Sequence, residues 1–175
     1  MEILRQGLQG IFLLKAPMHK DERGHLLKIF SKDNFHKHGL NFEPVEQFFT
    51  ISAKNIIRGM HYQSSTYAHD KLVCCLAGQT LNVVVDINRK SPTYKKLFAV
   101  KLKSSTGLSL FVPKGFAHGF LSLEENTIIS YLTNTSHSPA HDHGVNWSSI
   151  GYPWPISNPI TSLRDQKLPL LGNHI

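Results

Sequence analysis

Short apolar segments rich in β-branched residues, separated by glycine and proline, constrain the fold of this chain more than any other feature. They recur at a spacing of roughly ten residues, which is the pattern of an all-β sandwich or barrel. We predict strands at Gln47–Ser52, Lys71–Leu76, Leu81–Ile87, Leu97–Leu102, Leu108–Val112 and Thr127–Leu132. The second and third of these are joined by Ala77–Thr80, a segment with the composition of a hairpin turn.

Helical signals are weak. A short helix is predicted at Lys32–His38, opened by Ser31. From His137 onward the chain is rich in Pro, Asn, Ser, Trp and Gly, so we expect irregular structure there, with one helical turn near Ser162–Gln166. No repeat or linker-like shift in composition divides the 175 residues. We therefore predict a single domain over residues 1–175.

The charge balance narrows the class of partner. The formal net charge is +7 at pH 7, but the lysines and arginines are dispersed, with no long basic run and no zinc-finger spacing. A nucleic-acid-binding β-barrel would also need exposed aromatic residues interleaved with basic ones. A dispersed positive field suits a small phosphate-bearing metabolite better, so we predict no nucleic-acid partner.

The apolar segments also bear on the compartment. None approaches the length of a membrane span, so no membrane partner is predicted. The N-terminal stretch holds only the short apolar run Ile11–Leu14 and lacks the small-residue cleavage site of a signal peptide. The sequence therefore predicts a cytoplasmic protein.

No metal or cofactor is expected. The chain has no glycine-rich dinucleotide fingerprint and no P-loop. His141-Asp142-His143 lies in a loop-like segment without a third ligand nearby in the sequence. A metal-binding cupin usually carries His-x-His followed by a glutamate, whereas the chain reads His61-Tyr62-Gln63 at the corresponding place.

Two of the eleven histidines differ from the rest in their surroundings. His61 and His118 each lie in an apolar, strand-like segment flanked by glycine, which allows a ligand or another backbone to approach closely. A buried imidazole also needs a hydrogen-bonding partner. The local sequence leaves two interpretations open: satisfied core histidines, or residues of a functional site.

A set of motifs in a fixed order along the chain resembles the dTDP-4-dehydrorhamnose 3,5-epimerase family. The motifs are Asp21–Gly24, Arg58–Gln63, Tyr67–Val73, Val85–Ile87, Ser91–Tyr94, Pro113–Phe120, Tyr131, Asn146–Trp147 and Leu163–Asp165. The resemblance implies a cupin-type jelly-roll β-barrel and a homodimer.

The same resemblance implies a catalytic set. His61 would be the general base, oriented by Asp165, and Tyr131 would be the general acid on the opposite face of the sugar. Lys71 would stabilise the enolate oxygen. The residue chemistry agrees: a ketone at C4 acidifies the C3 and C5 hydrogens, an imidazole is a suitable base near neutral pH, and a fixed ammonium stabilises developing negative charge.

The resemblance also implies a substrate-binding set. Arg58 would contact the diphosphate, His118 would line the sugar pocket, and Gln47 would belong to the binding residues. Arg23 would reach the partner subunit's site through an N-terminal arm. The expected activity is inversion of C3, C5 or both in a nucleotide-diphospho-4-keto-6-deoxyhexose, in deoxysugar biosynthesis for a surface polysaccharide or a glycosylated natural product.

The chain departs from the family pattern mainly where the nucleotide would bind. The departures are Leu26, Lys28, Phe49, Asn88 and Ser136. We hypothesise that the chemistry is retained while the carrier is cytidine or guanosine diphosphate instead of dTDP. The alternatives are a sugar-nucleotide 3,4-ketoisomerase and a non-catalytic sugar-binding cupin.

Overall fold

The computed structural model describes residues 1–174, and strands are its predominant regular structure. The strands are β1 Glu2–Gln6, β2 Phe12–Lys15, β3 Met18–Asp21, β4 Gly24–Leu27, β5 Glu46–Ser52, β6 Ile57–Gln63, β7 Lys71–Ala77, β8 Gln79–Asp86, β9 Leu97–Lys103, β10 Leu108–Val112, β11 Phe116–Ser122, β12 Thr127–Thr133 and β13 Asp142–Gly144. The helices are α1 Lys32–Lys37 and α2 Leu163–Gln166, with single 3₁₀ turns at Ser65–Tyr67 and Trp147–Ile150.

Two antiparallel sheets form the body of the molecule. A six-stranded sheet has the order β1-β2-β10-β7-β12-β5, and a five-stranded sheet has the order β13-β6-β11-β8-β9. A separate hairpin, β3–β4, stands apart from both. The all-β prediction is confirmed, and each predicted strand appears within two residues of its expected bounds.

The sandwich interior is filled by side chains that alternate along the strands. On β12, Ile129 and Tyr131 point inward, as do Val73 and Cys75 on β7. Period-two alternation places every second residue of a strand on the same face, so these apolar positions form one continuous core.

Each sheet also has a covered outer face, which explains the long runs of buried residues. Helix α1 and the following loop pack Phe35, Leu40 and Phe42 against the six-stranded sheet. Val145, Ile150 and the residues after them cover the five-stranded sheet. A strand buried on both faces loses the simple apolar–polar alternation, which is why β8 is buried from Thr80 to Asp86.

The sequence did not reveal five strands: β1 to β4 and β13. β3 is fully exposed and carries the polar sequence Met-His-Lys-Asp, so no burial pattern marks it. β13 is three residues long and is held by pairing with β6. No helix among residues 1–174 has the length and hydrophobicity needed to cross a membrane.

Candidate active site

A cavity of about 450 Å³ is lined by residues of both sheets, from β5, β7 and β12 and from β6 and β11. Six of the eight residues predicted for the site line it together: Arg58, His61, Lys71, His118, Tyr131 and Asp165. The remaining lining residues are Phe48, Thr50, Ile56, Ile57, Ile160, Thr161, Ser162 and Arg164. The cavity thus combines an apolar wall with a group of titratable side chains, which is the composition expected of a small-molecule site.

The shortest polar contact in the cavity joins His61 to Asp165. His61 Nε2 lies 2.7 Å from Asp165 Oδ1, and the Gly59 amide donates to Asp165 Oδ2 at 3.1 Å. Burial alone would raise the pKa of Asp165, but the contacts with His61 and Gly59 lower it below its usual value. Because an ionised carboxylate can only accept, His61 Nε2 carries the hydrogen and Nδ1 remains free to take up a proton.

Asp165 reaches this position from the far end of the chain. It lies on α2, where its amide donates to the Ser162 side chain at 3.0 Å in an N-cap. Its side chain is only 4% exposed, against 30% for His61. The short C-terminal helix therefore delivers a buried carboxylate to a histidine that is open to the cavity.

Close backbone packing between β6 and β11 supports the histidine segment. A Cβ on Gly59, whose φ is +137°, would lie 2.5 Å from Gly119 Cα. Any side chain at either glycine would therefore push the two strands apart. The glycines that flank His61 and His118 in the sequence serve this approach of strand to strand.

His118 is the register partner of His61 across the β6–β11 pair, yet its surroundings differ. It is buried, and its Nε2 lies 3.1 Å from Asn82 Oδ1. The Asn82 amide nitrogen in turn donates to Thr80 Oγ1 at 2.9 Å. Burial lowers the pKa of His118 well below its usual value, and the positive charges of Lys71 and His61 add to the effect. His118 is therefore a neutral hydrogen-bonding group.

Lys71 lies at the start of β7 with its ammonium inside the cavity. Its Nζ donates to the His61 carbonyl oxygen at 3.0 Å. Burial lowers the pKa of Lys71 to about 8, although the charge of Asp142 opposes this. No carboxylate among residues 1–174 forms a salt bridge with it. The ammonium is thus available to a negative charge that develops on a bound ligand.

Tyr131 lies on β12 directly opposite Phe48 of β5. The two rings are stacked, with centroids 4.7 Å apart and an interplanar angle of 11°. Burial raises the pKa of Tyr131, while the nearby Thr50 hydroxyl and the Arg58 guanidinium act in the opposite direction. The phenol is therefore fully protonated at neutral pH and can donate a proton into the cavity.

Two arginines give the cavity a positive rim. Arg58 Nε donates to Ser52 Oγ at 3.1 Å, and its Nη2 donates to the Ile51 carbonyl at 3.3 Å. Arg164 lines the cavity and forms a salt bridge with Asp142 at 2.9 Å. Guanidinium groups suit phosphate oxygens because they offer several donors in a fixed plane.

Two of the predicted site residues lie outside the cavity. Gln47 is exposed and donates to Ser130 Oγ at 3.3 Å, whereas Phe48 and Thr50 of the same strand line the cavity. Arg23 lies on the exposed β3–β4 hairpin, where it forms a salt bridge with Asp21 at 2.6 Å. The sequence reasoning overlooked Phe48 and Thr50, although their two-residue spacing on a predicted strand could have indicated that they share a face.

A second cavity of about 280 Å³ shares His61 and Lys71 with the first. Its wall includes His69, a residue for which no role is predicted from the sequence. Burial and the charge of Lys71 lower the pKa of His69 to about 3, and its Nδ1 lies 3.0 Å from Gln63 Nε2. His69 is therefore a neutral wall residue held by an amide.

The loop histidines do not assemble a metal centre in the part of the chain that the structure describes. No group of three or more His, Cys, Asp or Glu side chains within residues 1–174 is arranged to hold an ion. His141 contacts Ser138 Oγ through Nδ1 at 2.9 Å, while His143 packs beside the Tyr62 ring. Asp142 pairs with Arg164 and His137.

Comparison with known proteins gives consistent matches along almost the whole chain. The family model of dTDP-4-dehydrorhamnose 3,5-epimerase matches residues 5–173. A relative of that name from Shigella flexneri is 34% identical over 168 residues, which cover 94% of this chain and 93% of the relative.

Solved structures give the same result for the fold. The dTDP-4-dehydrorhamnose 3,5-epimerase of Bacillus anthracis, solved with TDP and PPi bound, has a TM-score of 0.94 at 34% identity and covers 97% of this chain and 99% of its own. An epimerase of Legionella pneumophila in complex with dTDP-4-keto-L-rhamnose has a TM-score of 0.93 at 28% identity, with 98% and 93% covered. The prediction of a cupin-type jelly roll is confirmed.

Proposed function

This chain belongs to the dTDP-4-dehydrorhamnose 3,5-epimerase family, and from that premise we propose that it inverts C3 and C5 of a dTDP-linked 4-keto-6-deoxyhexose in deoxysugar biosynthesis. The observation that carries the proposal is the meeting of His61, Asp165, Lys71 and Tyr131 at one cavity. Such a reaction needs a base, an acid and a stabiliser of negative charge, and the four side chains supply them.

Proton removal is assigned to His61. With Nε2–H donated to Asp165, Nδ1 takes the proton from the carbon next to the C4 ketone, and the carboxylate stabilises the imidazolium that forms. The electron pair moves onto the C4 oxygen, giving an enolate. The Lys71 ammonium, which has no carboxylate partner in the described chain, donates to that oxygen as its charge develops.

Proton return is assigned to Tyr131. Its phenol delivers a proton to the same carbon from the face opposite His61, the enolate becomes a ketone again, and the configuration is inverted. Burial raises the pKa of Tyr131, which keeps the proton in place until the carbanion-like centre forms. His61 then loses its proton to solvent and the phenolate regains one, so the enzyme returns to its starting state.

Substrate binding is assigned to the positive rim and to a second copy of the chain. Arg58 holds the diphosphate, and neutral His118 contacts the sugar. The exposed Arg23 extends to the cavity of the partner subunit in a homodimer, which accounts for its position away from the cavity of its own chain. The carrier is dTDP, because the Bacillus anthracis and Legionella pneumophila proteins are described with TDP and with a dTDP-sugar.

Proton exchange in deuterium oxide tests the proposal. The enzyme is incubated with dTDP-4-keto-6-deoxyglucose, and C3 and C5 are followed by NMR, with His61→Ala as the control. We expect deuterium at both carbons and an inverted product with the wild type only. Label at a single carbon would mean that the enzyme acts on one centre only. Absence of label would favour a ketoisomerase with another substrate or the non-catalytic cupin.

The hypothesis of a cytidine or guanosine carrier is tested alongside. It rests on five residues that differ from the family pattern: Leu26, Lys28, Phe49, Asn88 and Ser136. None of them lines the 450 Å³ cavity of a single chain. A thermal-shift series with dTDP, CDP, GDP and UDP compares the carriers directly. We expect the largest rise in melting temperature with dTDP, whereas preference for CDP or GDP would revive the hypothesis.

A further inference from the structure

One buried polar side-chain atom among residues 1–174 makes no hydrogen bond. Thr50 Oγ1 is shielded from solvent and has no hydrogen-bonding partner. A buried hydroxyl without a partner lowers stability, so such an atom in a folded protein calls for a functional explanation. Thr50 lines the 450 Å³ cavity, where a partner can arise during the reaction.

The position of Thr50 relative to Tyr131 is fixed by strand pairing. Phe48 of β5 faces Tyr131 of β12, and Thr50 faces Ile129 on the same pair of strands. Residues two apart on a strand share a face. Phe48 therefore stacks on the Tyr131 ring, and Thr50 lies diagonally across the strand pair from Tyr131 on the face that lines the cavity.

The two β5 side chains act on different parts of the tyrosine. The ring of Phe48 limits rotation of the phenol, because the stacked rings lie 4.7 Å apart. Thr50 offers a hydroxyl to the phenol oxygen. That oxygen bears a negative charge only after a proton has left, so a hydrogen bond from Thr50 becomes strong at that stage of the cycle.

We propose that Thr50 is a positioning residue for Tyr131. The Thr50 hydroxyl donates a hydrogen bond to the Tyr131 phenolate that remains after proton delivery. In this step the Tyr131 O–H bond breaks and a C–H bond forms on the enolate carbon. The enolate electron pair forms the new bond, and the negative charge moves to the phenol oxygen. Thr50 keeps its own proton throughout. The inference rests on the proposed function of Tyr131.

Thr50→Val is the decisive variant, because valine has nearly the same shape and lacks the hydroxyl. Since the hydroxyl is unpartnered in the resting protein, its removal should leave the melting temperature unchanged or raise it. Proton delivery should nevertheless slow by about tenfold, the usual effect of losing one hydrogen bond to a charged group. Thr50→Ser keeps the hydroxyl and should restore the rate.

The measurement separates the two proton transfers. The enzyme is incubated with the 4-keto sugar nucleotide in deuterium oxide, and NMR compares deuterium in unreacted substrate with the amount of inverted product. Slower delivery by Tyr131 leaves more time for His61 to return a deuteron to the original face. Thr50→Val should therefore lower inversion while wash-in of deuterium into recovered substrate persists.

Thr127→Val is the matched control. It also removes a buried hydroxyl from a strand, but the Thr127 hydroxyl donates to the Glu124 carbonyl at 2.8 Å and does not line the cavity. We expect lower stability with an unchanged ratio of wash-in to inversion. Should Thr50→Val fail to fold, Thr50→Ala against Thr50→Ser makes the same comparison.

Three results would overturn the inference. The first is wild-type inversion in Thr50→Val, and the second is an equal fall in wash-in and inversion, which a purely structural role predicts. The third is failure of Thr50→Ser to restore inversion. A wild-type enzyme that neither exchanges nor inverts would instead refute the proposed function of the site.

Discussion

His61 and His118 face each other across one strand pair, yet they lie in two different environments. His61 is partly open to the cavity and contacts the carboxylate of Asp165, whereas His118 is buried against the amide of Asn82. The negative charge of a carboxylate stabilises the protonated form of a neighbouring imidazole. A neutral amide offers no such charge, so burial disfavours the protonated form of an imidazole beside it.

The hydrogen-bonding partner, more than the strand or the residue type, decides what a histidine can do. We propose proton transfer for His61, whereas burial beside Asn82 favours neutral hydrogen bonding by His118. Lys71 lies near both residues, and its charge further lowers the pKa of His118. Replacing Asp165 or Asn82, or removing the charge of Lys71, should therefore change the protonation behaviour of the two histidines in a predictable direction.

The largest effect is expected from Asp165→Asn, which gives His61 the kind of partner that His118 has. An amide can donate to Nε2 as well as accept from it, so the ring loses its preference for a free Nδ1, and the imidazolium loses its counter-charge. We expect kcat to fall by about 10³–10⁴-fold, as when the carboxylate that orients a catalytic histidine is replaced. Steady-state kinetics and circular dichroism measure activity and folding. Retention of more than a tenth of the activity would contradict the assignment.

The second-largest effect is expected from Lys71→Met, which removes the ammonium that lies near both histidines. Turnover should fall by about 10²–10³-fold through loss of enolate stabilisation. Stability at pH 7 should rise, because a pKa lowered from 10.5 to about 8 means that the folded state disfavours the buried ammonium. The penalty corresponds to about 3 kcal/mol.

The pH dependence of stability checks this explanation of Lys71. Below pH 8 both folded and unfolded states hold the proton, so the penalty is fully present in the wild type. Between pH 8 and 10.5 only the unfolded state holds it, so the wild type gains stability as the pH rises. The advantage of Lys71→Met in urea denaturation should shrink over this range. A constant difference would contradict the account.

A smaller effect is expected from Asn82→Asp, which gives His118 a carboxylate partner. The pKa of His118 should rise, and the resulting imidazolium should lower kcat by about tenfold by repelling Lys71 and protonated His61. Long-range ¹H–¹⁵N NMR of the imidazole nitrogens reports the protonation state directly. A neutral His118 ring in Asn82→Asp at pH 6 would show that burial outweighs the partner.

The contribution of His118 to the free energy of unfolding should change with pH in opposite directions in the wild type and in Asn82→Asp. In the wild type the pKa of His118 is lowered in the folded state, so its contribution to stability falls as the pH drops below about 6.5. In Asn82→Asp the pKa is raised, so the contribution of His118 is present at low pH and is lost as the pH rises through the new pKa. Denaturation curves between pH 5 and 8 compare the two slopes.

The sequence predicted the central strands because their alternation and turn residues are local properties. It also predicted Arg58, His61, Lys71, His118, Tyr131 and Asp165, since the family motifs carry them in order, and the structure brings these six to one cavity. The sequence did not predict the N-terminal hairpin, because its strand β3 is exposed and no apolar pattern marks it.

The rest of the site depends on pairing between distant strands. The residue that orients His118 comes from β8, and the residues beside Tyr131 come from β5. Neither contact is visible in a local motif. Gln47 illustrates the sensitivity of such assignments, because a one-residue change along a strand moves a side chain to the other face of the sheet.

The partition of exchange and inversion in two variants tests most directly the claim that His61 and Tyr131 serve opposite faces of one sugar. In deuterium oxide, His61→Ala should neither exchange nor invert. Tyr131→Phe should still introduce deuterium into recovered substrate but form almost no inverted product. Loss of exchange in Tyr131→Phe, or inversion by His61→Ala, would contradict the account.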